Sequence, residues 1–270
     1  MAIYLTSLNS GSNGNCYYIG TATSAVLIDA GISCRETVNR MQQLGLSMKN
    51  VKAIFISHEH IDHIKGVATI SSKYDLPVFI SGKTAGYCPG LKTNPYGELK
   101  TDEPIQAGNL TVTAFSKFHD ACDPHSFIVS CSGITVGVFT DIGRVCKNVI
   151  HHFRQCHAAF LETNYDEIML EAGSYPLMLK KRIRGGHGHL SNRQALDLFI
   201  QHRPTYMSHL LLSHLSKENN NPQLVTNTFS PHAGNTNIVV ASRNEASPVF
   251  SIEIGGEKRI NQNAKQLQLF

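Results

Sequence analysis

Residues 51–66, VKAIFISHEHIDHIKG, restrict the fold more than any other stretch of the chain. The apolar, β-branched run 51–57 predicts a strand buried on both faces, so its sheet must be covered on both sides. That strand delivers His58 at its end, and His60, Asp62 and His63 follow within five positions. On a turn after a strand, His58 and His60 can reach one ion, while Asp62 and His63 point to a second position nearby. Carboxylate oxygen is a harder ligand than imidazole and carries charge, which suits an ion that must also hold hydroxide. Two divalent ions roughly 3.5–4 Å apart can share a water and lower its pKa towards roughly 7. An aspartate hydrogen-bonded to that water can orient it and take its proton, the role expected of Asp62. A solvated histidine loop is the competing reading. Four ligand-type residues in this spacing, at the end of a buried strand, favour the metal site.

A dinuclear site needs further ligands, and other strand ends offer them. His119 follows TVTAFSKF, Asp141 ends ITVGVFT, and His214 ends HLLLS. Each sits where a core strand emerges, the usual place for a site residue in a sheet protein. Asp141, a carboxylate leaving a buried strand, is the candidate to bridge both ions. Nitrogen and oxygen ligands without thiolate suit zinc first, with manganese or iron as alternatives.

The rest of the chain alternates strand and helix signals. Strands are expected at 2–8, 16–20, 25–31, 51–57, 76–81, 108–118, 126–133, 134–141, 157–164, 206–214 and 236–242. Helical spacing covers 34–46, 66–74, 144–154 and 175–184. Another helix starts at Ser191 with a capping-box pattern to Gln194, and one more at 221–229 has Pro222 in its first turn. No repeat or linker divides this pattern. Two successive sheet-and-helix halves within one domain, residues 1–255, give sheets packed back to back with helices outside. Residues 256–270 are polar and aperiodic, and a frayed tail is expected there.

Composition supports a folded protein and excludes little else. The 270 residues are 41% hydrophobic and 16% charged, and the net charge of +4 is too small to argue for nucleic acid by itself. Seven scattered cysteines, none in a CxxC pair, cannot close into a full disulfide framework. With no signal-like N-terminus and no run near the roughly 20 apolar residues of a membrane span, the cytoplasm is the expected location and no membrane partner is expected.

With these residues assembled, the chain resembles the metallo-β-lactamase superfamily. The matching series is HxHxDH at 58–63, His119, Asp141 and His214. The resemblance implies a four-layer αββα sandwich of two mixed sheets packed face to face with helices outside. It implies that His58, His60 and His119 hold one ion, that Asp62, His63 and His214 hold the other, and that Asp141 bridges them. Asp29 in LIDAG matches the superfamily's early aspartate, which steadies the ligand loop. SLNSGSNGN, LIDAGIS, SHEHIDHIKG, KFHDACDPHSF, FTDIG, LETNYD and GHLSN with LSHLSKENN are similar to the YycJ/WalJ group of DNA exonuclease-like hydrolases. No β-CASP insertion and no long flexible arm of the ribonuclease Z kind is recognisable.

The resemblance leaves His189 a role. Hydrolysis of a phosphodiester expels an alkoxide, which a positioned imidazolium can protonate. His187 competes for this role. His189 is preferred because it adjoins Ser191 and Asn192, where helix N–H groups can meet a phosphate. Lys180, Lys181, Arg182 and Arg184, with Arg193 nearby, form either a phosphate-tracking stripe or a solvated helix face. The loop NSGSNGN can offer N–H groups to a terminal phosphate or be a plain turn. His125 and Asp120 flank His119 and are candidate supports for it. The expectation is a metal-dependent phosphodiesterase working through a metal-bound hydroxide, with DNA favoured over RNA and exonuclease over endonuclease. The rivals are hydrolysis of a small thioester, phosphoester or cyclic nucleotide, and a metal-stabilised binding module without catalysis. Oligomeric state is not legible.

Overall fold

The computed structural model describes residues 1–88, 90, 91 and 96–254; the expected tail at 256–270 lies outside these residues. The first sheet contains β1 (Ile3–Asn9), β2 (Cys16–Gly20), β3 (Ala25–Ile28), β4 (Val51–Phe55), β5 (Val78–Ile80) and β6 (Tyr96–Glu98). The second contains β7 (Pro104–Ala107), β8 (Leu110–Ser116), β9 (His125–Cys131), β10 (Ile134–Phe139), β11 (Ala158–Glu162), β12 (His209–Ser213) and β13 (Asn237–Val240). A last strand, β14 (Phe250–Ile252), returns to pair antiparallel with β1, so the first sheet is completed by the end of the chain. The halves are therefore not strictly successive.

Each sheet is mixed. β1, β2 and β3 are antiparallel neighbours, after which β3, β4, β5 and β6 run parallel. In the other sheet β7, β8, β9 and β10 alternate, and β10, β11, β12 and β13 run parallel. Strands β8, β10, β11 and β12 consequently emerge at one common edge.

Period-two alternation explains why the central strands are apolar on both sides. In β4, Ala53 and Phe55 join the core between the sheets, while Ile54 and the following Ile56 face the helical side. In β11, Ala158 and Phe160 face the other sheet, and Ala159 and Leu161 face helices. Ring pairs cross the interface: Tyr17 lies 4.8 Å from Phe160, and Phe55 lies 6.0 Å from Phe127. Each such side chain, fully buried, contributes on the order of 1.5–3 kcal/mol.

Helix α1 (Cys34–Gln43) covers the first sheet through Met41, together with a two-part segment made of α2 (Ile61–Ile64) and α3 (Val67–Tyr74). The short α4 (Gly82–Ala85) follows β5. On the second sheet, α5 (Lys147–Phe153), α8 (Asn192–His202) and α9 (Pro222–Phe229) bury Phe153, Phe199 and Phe229. Between β11 and α8 lie α6 (Glu167–Ala172) and α7 (Leu177–Arg184), with their own small core of Tyr165, Leu170 and Ile183. The expected helix at 175–184 is thus preceded by a helix the spacing did not reveal. The αββα layering matches the expectation. Among the described residues no helix is long and apolar enough to cross a membrane.

Candidate metal centre

The ligand-type residues meet at the edge where the parallel strands end. Asp29 directly follows β3, Asp141 follows β10 by one intervening residue, and His214 directly follows β12. All three have left-handed backbone, with φ of +59°, +55° and +57°. Non-glycine residues rarely occupy that region, and such strain tends to mark functional positions. His58 lies in the loop after β4, His60 caps α2, and Asp62 and His63 are on α2 itself.

Two groups of ligand atoms converge. His60 Nδ1 lies 3.0 Å from His58 Nε2 and 3.4 Å from His119 Nε2. Beside this trio, His63 Nε2 is 3.2 Å from Asp141 Oδ2 and 3.6 Å from Asp62 Oδ2, and His214 Nε2 is 3.7 Å from Asp62 Oδ2. Asp141 stands between the groups, its Oδ1 3.7 Å from His119 Nε2 and 3.3 Å from His214 Nδ1. Asp141 Oδ2 and His214 Nε2 are buried yet make no hydrogen bond. Asp141 Oδ2 faces His63 Nε2 at 3.2 Å and His214 Nε2 faces Asp62 Oδ2 at 3.7 Å. Buried polar atoms left in this state are costly unless something binds them, and a divalent cation fits this donor set.

The electrostatics point the same way. Burial, with the neighbouring His63 charge, holds His58 well below its ordinary value, and burial takes His119 down to about 4. Their rings are therefore neutral, as ligands must be. Burial disfavours charge on His63 and His214 too, but carboxylates overcome it. Asp141, Asp29 and Asp62 raise His63 well above its ordinary value, and Asp141, Asp62 and Glu162 raise His214 to about 10. Asp141, despite burial, is held well below the carboxylate range by His214 and His63. Protons on these rings supply positive charge that bound cations would otherwise bring.

A buried network orients these ligand-type side chains. Asp29 Oδ1 accepts from the Ser57 N–H and its Oδ2 from the Ser57 hydroxyl, both at 2.8 Å, and Oδ2 also lies 2.7 Å from His63 Nδ1. Ser57 Oγ in turn is 2.8 Å from His58 Nδ1. His119 Nδ1 is 2.9 Å from the Gly188 carbonyl, which fixes Nε2 as its ligand-side atom. Glu59 accepts from the N–H and thiol of Cys122, tying the 58–63 loop to the one that carries His119.

Glu162, at the end of β11, was missed in the sequence. Its Oε1 is 2.8 Å from His189 Nδ1 and 2.9 Å from His214 Nδ1, and its Oε2 accepts from the N–H groups of Ile142 and Leu190. Burial would raise its carboxyl, but the His189 and His214 contacts outweigh that and hold it at about 2. The signal was available: Glu162 ends an apolar run just as Asp141 and His214 do. Asn15 was also passed over. Its side-chain N–H₂ lies 3.2 Å from Asp62 Oδ2, and its N–H donates to the Asp62 carbonyl at 2.7 Å.

The remaining candidates divide clearly. His189 lines the cleft above the cluster; with Nδ1 held by Glu162, its Nε2 has no hydrogen bond among the described residues. His187 packs its ring on Phe118 and does not line the cleft. Ser191 is buried as the cap of α8, and the reciprocal bonds with Gln194 form the capping box. Asn192 is buried against Asn220. Their N–H groups, expected to meet a phosphate at the helix start, are spent on Gln194 Oε1 and on the Tyr165 carbonyl, and neither residue lines the cleft. His125 bonds Asp123 and Thr101 through its ring rather than any ligand; only its N–H reaches Ser57. Of the basic run, Arg182 alone lines the cleft, held by Asp120, while Lys180 and Arg184 turn to Glu171 and Lys181 is exposed. In NSGSNGN the N–H groups of Ser10, Gly11, Gly14 and Asn15 are spent inside the fold, and Ser12 is the member that lines the cleft.

Comparison with known proteins agrees with this geometry. Residues 10–129 match the metallo-beta-lactamase superfamily. The chain is 32% identical to "Exodeoxyribonuclease YycJ" of Bacillus anthracis over 85% of its length and 89% of that protein. It is 29% identical to "Exodeoxyribonuclease WalJ" of Streptococcus pneumoniae, over 82% and 85% of the two chains. The solved metallo-beta-lactamase fold protein YhfI of Bacillus subtilis superposes with a TM-score of 0.70 at 15% identity, covering 93% of this chain and 99% of that one. The chain thus belongs to the metallo-β-lactamase superfamily and, within it, to the YycJ/WalJ-like group of hydrolases.

Proposed function

We propose that the protein is a two-metal phosphodiesterase that hydrolyses nucleic acid, DNA before RNA, from strand ends. The observation that carries this reading is His189, in the wall of the cleft over the ligand cluster, whose Nδ1 is fixed by buried Glu162 and whose Nε2 lacks a hydrogen-bond partner among the described residues. A thioester site has less need of such a group because a thiolate leaves without a proton, whereas an expelled alkoxide requires one. The exodeoxyribonuclease names of the two bacterial relatives support DNA as the substrate.

In this reading His58, His60 and His119 hold one ion, Asp62, His63 and His214 the other, and Asp141 both. When bound, the ions supply Lewis acidity to the phosphate and to the attacking water. The chain does the rest. Asp62, steadied through Asn15, orients the water and accepts its proton. His189 Nε2 donates a proton to the leaving oxygen, and Glu162 stabilises the charged imidazole that carries it. Asp29 and Ser57 keep His58 and His63 in register.

Metal-loaded protein incubated with 5′-phosphorylated single- and double-stranded DNA should release nucleotides with zinc or manganese. No cleavage by protein shown to carry metal would remove the nuclease reading. A cleft of about 310 Å³ also suits a small phosphoester. Turnover of bis(p-nitrophenyl) phosphate without turnover of DNA would favour that reading instead.

A further inference from the structure

We infer that the cleft holds a single unstacked nucleotide, with its phosphate on Arg182 and its base against Tyr175 and Leu179. This rests on the phosphodiesterase reading and specifies the substrate at that site.

Arg182 is the cation the geometry singles out. Its side chain is 60% exposed and it lines the cleft, but its Nε is bound to Asp120 Oδ2. A guanidinium held by one edge is pre-organised and leaves its remaining N–H groups for a second anion, a role a flexible ammonium fills less well. Asp120 also connects the arginine to the ligand cluster. Its Oδ1 is buried without a hydrogen bond, 3.4 Å from His119 Nε2. A phosphate seated on Arg182 is therefore kept close to the ligand atoms. The neighbouring cations do not line the cleft: Lys180 and Arg184 contact Glu171, and Lys181 is exposed outside it. Arg182 is the one lysine or arginine among the described residues that lines the cleft, which suits one phosphate and not a track along a duplex.

Apolar side chains stand beside this cation. Leu179 lies three positions before Arg182 on α7, hence on the same helix face, and Tyr175 precedes the helix; both line the cleft. Tyr175 is half-buried, and its hydroxyl makes no hydrogen bond among the described residues. A charged hydrolytic centre gains nothing from this apolar wall, but an unstacked base gains a surface to lie on. Elsewhere on the same α6–α7 segment Leu177, Met178 and Ile168 are also exposed, although they do not line the cleft. The cleft, about 310 Å³, is at the small end for a ligand site, a size that suits one nucleotide.

The test uses full-length zinc-loaded protein and fluorescence anisotropy with phosphorothioate oligodeoxynucleotides that resist cleavage. One probe is unmodified in its bases, one is abasic at the terminal nucleotide, and one carries a neutral methylphosphonate at the terminal linkage. Tyr175→Ala should weaken the base-containing probe roughly 5- to 100-fold and leave the abasic probe unchanged, with Tyr175→Phe near wild type. Arg182→Ala should weaken the charged probe roughly 10- to 100-fold but not the methylphosphonate, and Arg182→Lys should restore only part. Circular dichroism and metal content identify any variant that fails to fold. Equal binding by wild type and both alanine variants, or equal losses on matched and modified probes, would overturn the subsite. Cleavage of natural DNA by wild-type protein is read separately. Cleavage with flat binding patterns rejects the subsite alone, and the expected binding pattern without cleavage rejects the nuclease reading alone.

Discussion

Glu162 carries more of the site than its position beneath it suggests. One oxygen meets His189 and His214, and the other accepts two backbone N–H groups. Glu162→Gln removes the charge that stabilises both rings while keeping the volume. Turnover should fall roughly 10- to 100-fold, and affinity for one of two metal equivalents should weaken, measured by competition with a chromophoric chelator. An unchanged affinity would contradict the role assigned to it. His189→Ala separates chemistry from binding of metal: turnover should drop roughly 10²- to 10⁴-fold while both equivalents stay bound, whereas Asp62→Ala should lose turnover and weaken one equivalent. At this scale the sequence was readable where ligand chemistry was dense. HxHxDH, His119, Asp141 and His214 could be picked out because ligand-type side chains ended apolar runs. Glu162 escaped attention because a glutamate before a polar turn reads as a solvated strand end, and only the fold reveals its complete burial. At Ser191 and Asn192 the capping signal shows where a helix starts but not which of its N–H groups stay free.

The ligand helix α2 is placed by backbone contacts more than by its own four residues. Asn15 N donates to the Asp62 carbonyl, Ala30 N to the His63 carbonyl, and Gly66 N to the Ala30 carbonyl. Gly31 makes this docking possible, since a Cβ there would lie 1.6 Å from the Asp62 carbonyl oxygen. Gly31→Ala should therefore cost about 1–3 kcal/mol in chemical denaturation and reduce metal affinity, although Gly31 is no ligand. An alanine variant with wild-type stability and metal content would contradict this arrangement. Helices and central strands were legible from periodicity, because burial on one or both faces leaves a regular pattern. The short β6, β7 and β14 and the helix α6 were not, since three to six residues carry too little pattern, and β14 is placed by a partner at the other end of the chain.

At the scale of the molecule, two sheets form a rigid frame whose common strand edge gathers residues from 29 to 214 in the chain. Charge at that edge links stability to pH and metal. In metal-free protein His214 is raised to about 10 from 6.5, so its contribution is complete below about 6.5 and is lost as pH rises towards 10. Glu162 is lowered to about 2 from 4.5, so its contribution is present above about 4.5 and is lost as pH falls towards 2. The melting temperature of stripped protein should thus be highest between these limits. A cation bound at this site would take the place of the histidine proton, so loaded protein should hold its melting temperature above pH 6.5 and the gap between the two forms should widen. Identical pH profiles would contradict this coupling. The layered fold was legible as a whole because alternating strand and helix signals admit few arrangements. The return of β14 to the first sheet was not, because nothing local in Phe250–Ile252 names its partner.

The central claim, a dinuclear site that cleaves DNA, is tested most directly by titrating metal-stripped protein with zinc while following nucleotide release from 5′-phosphorylated DNA. The account predicts that release rises with added zinc and levels off at two equivalents per chain. No release at any ratio with bound zinc verified, or a plateau at one equivalent, would contradict it.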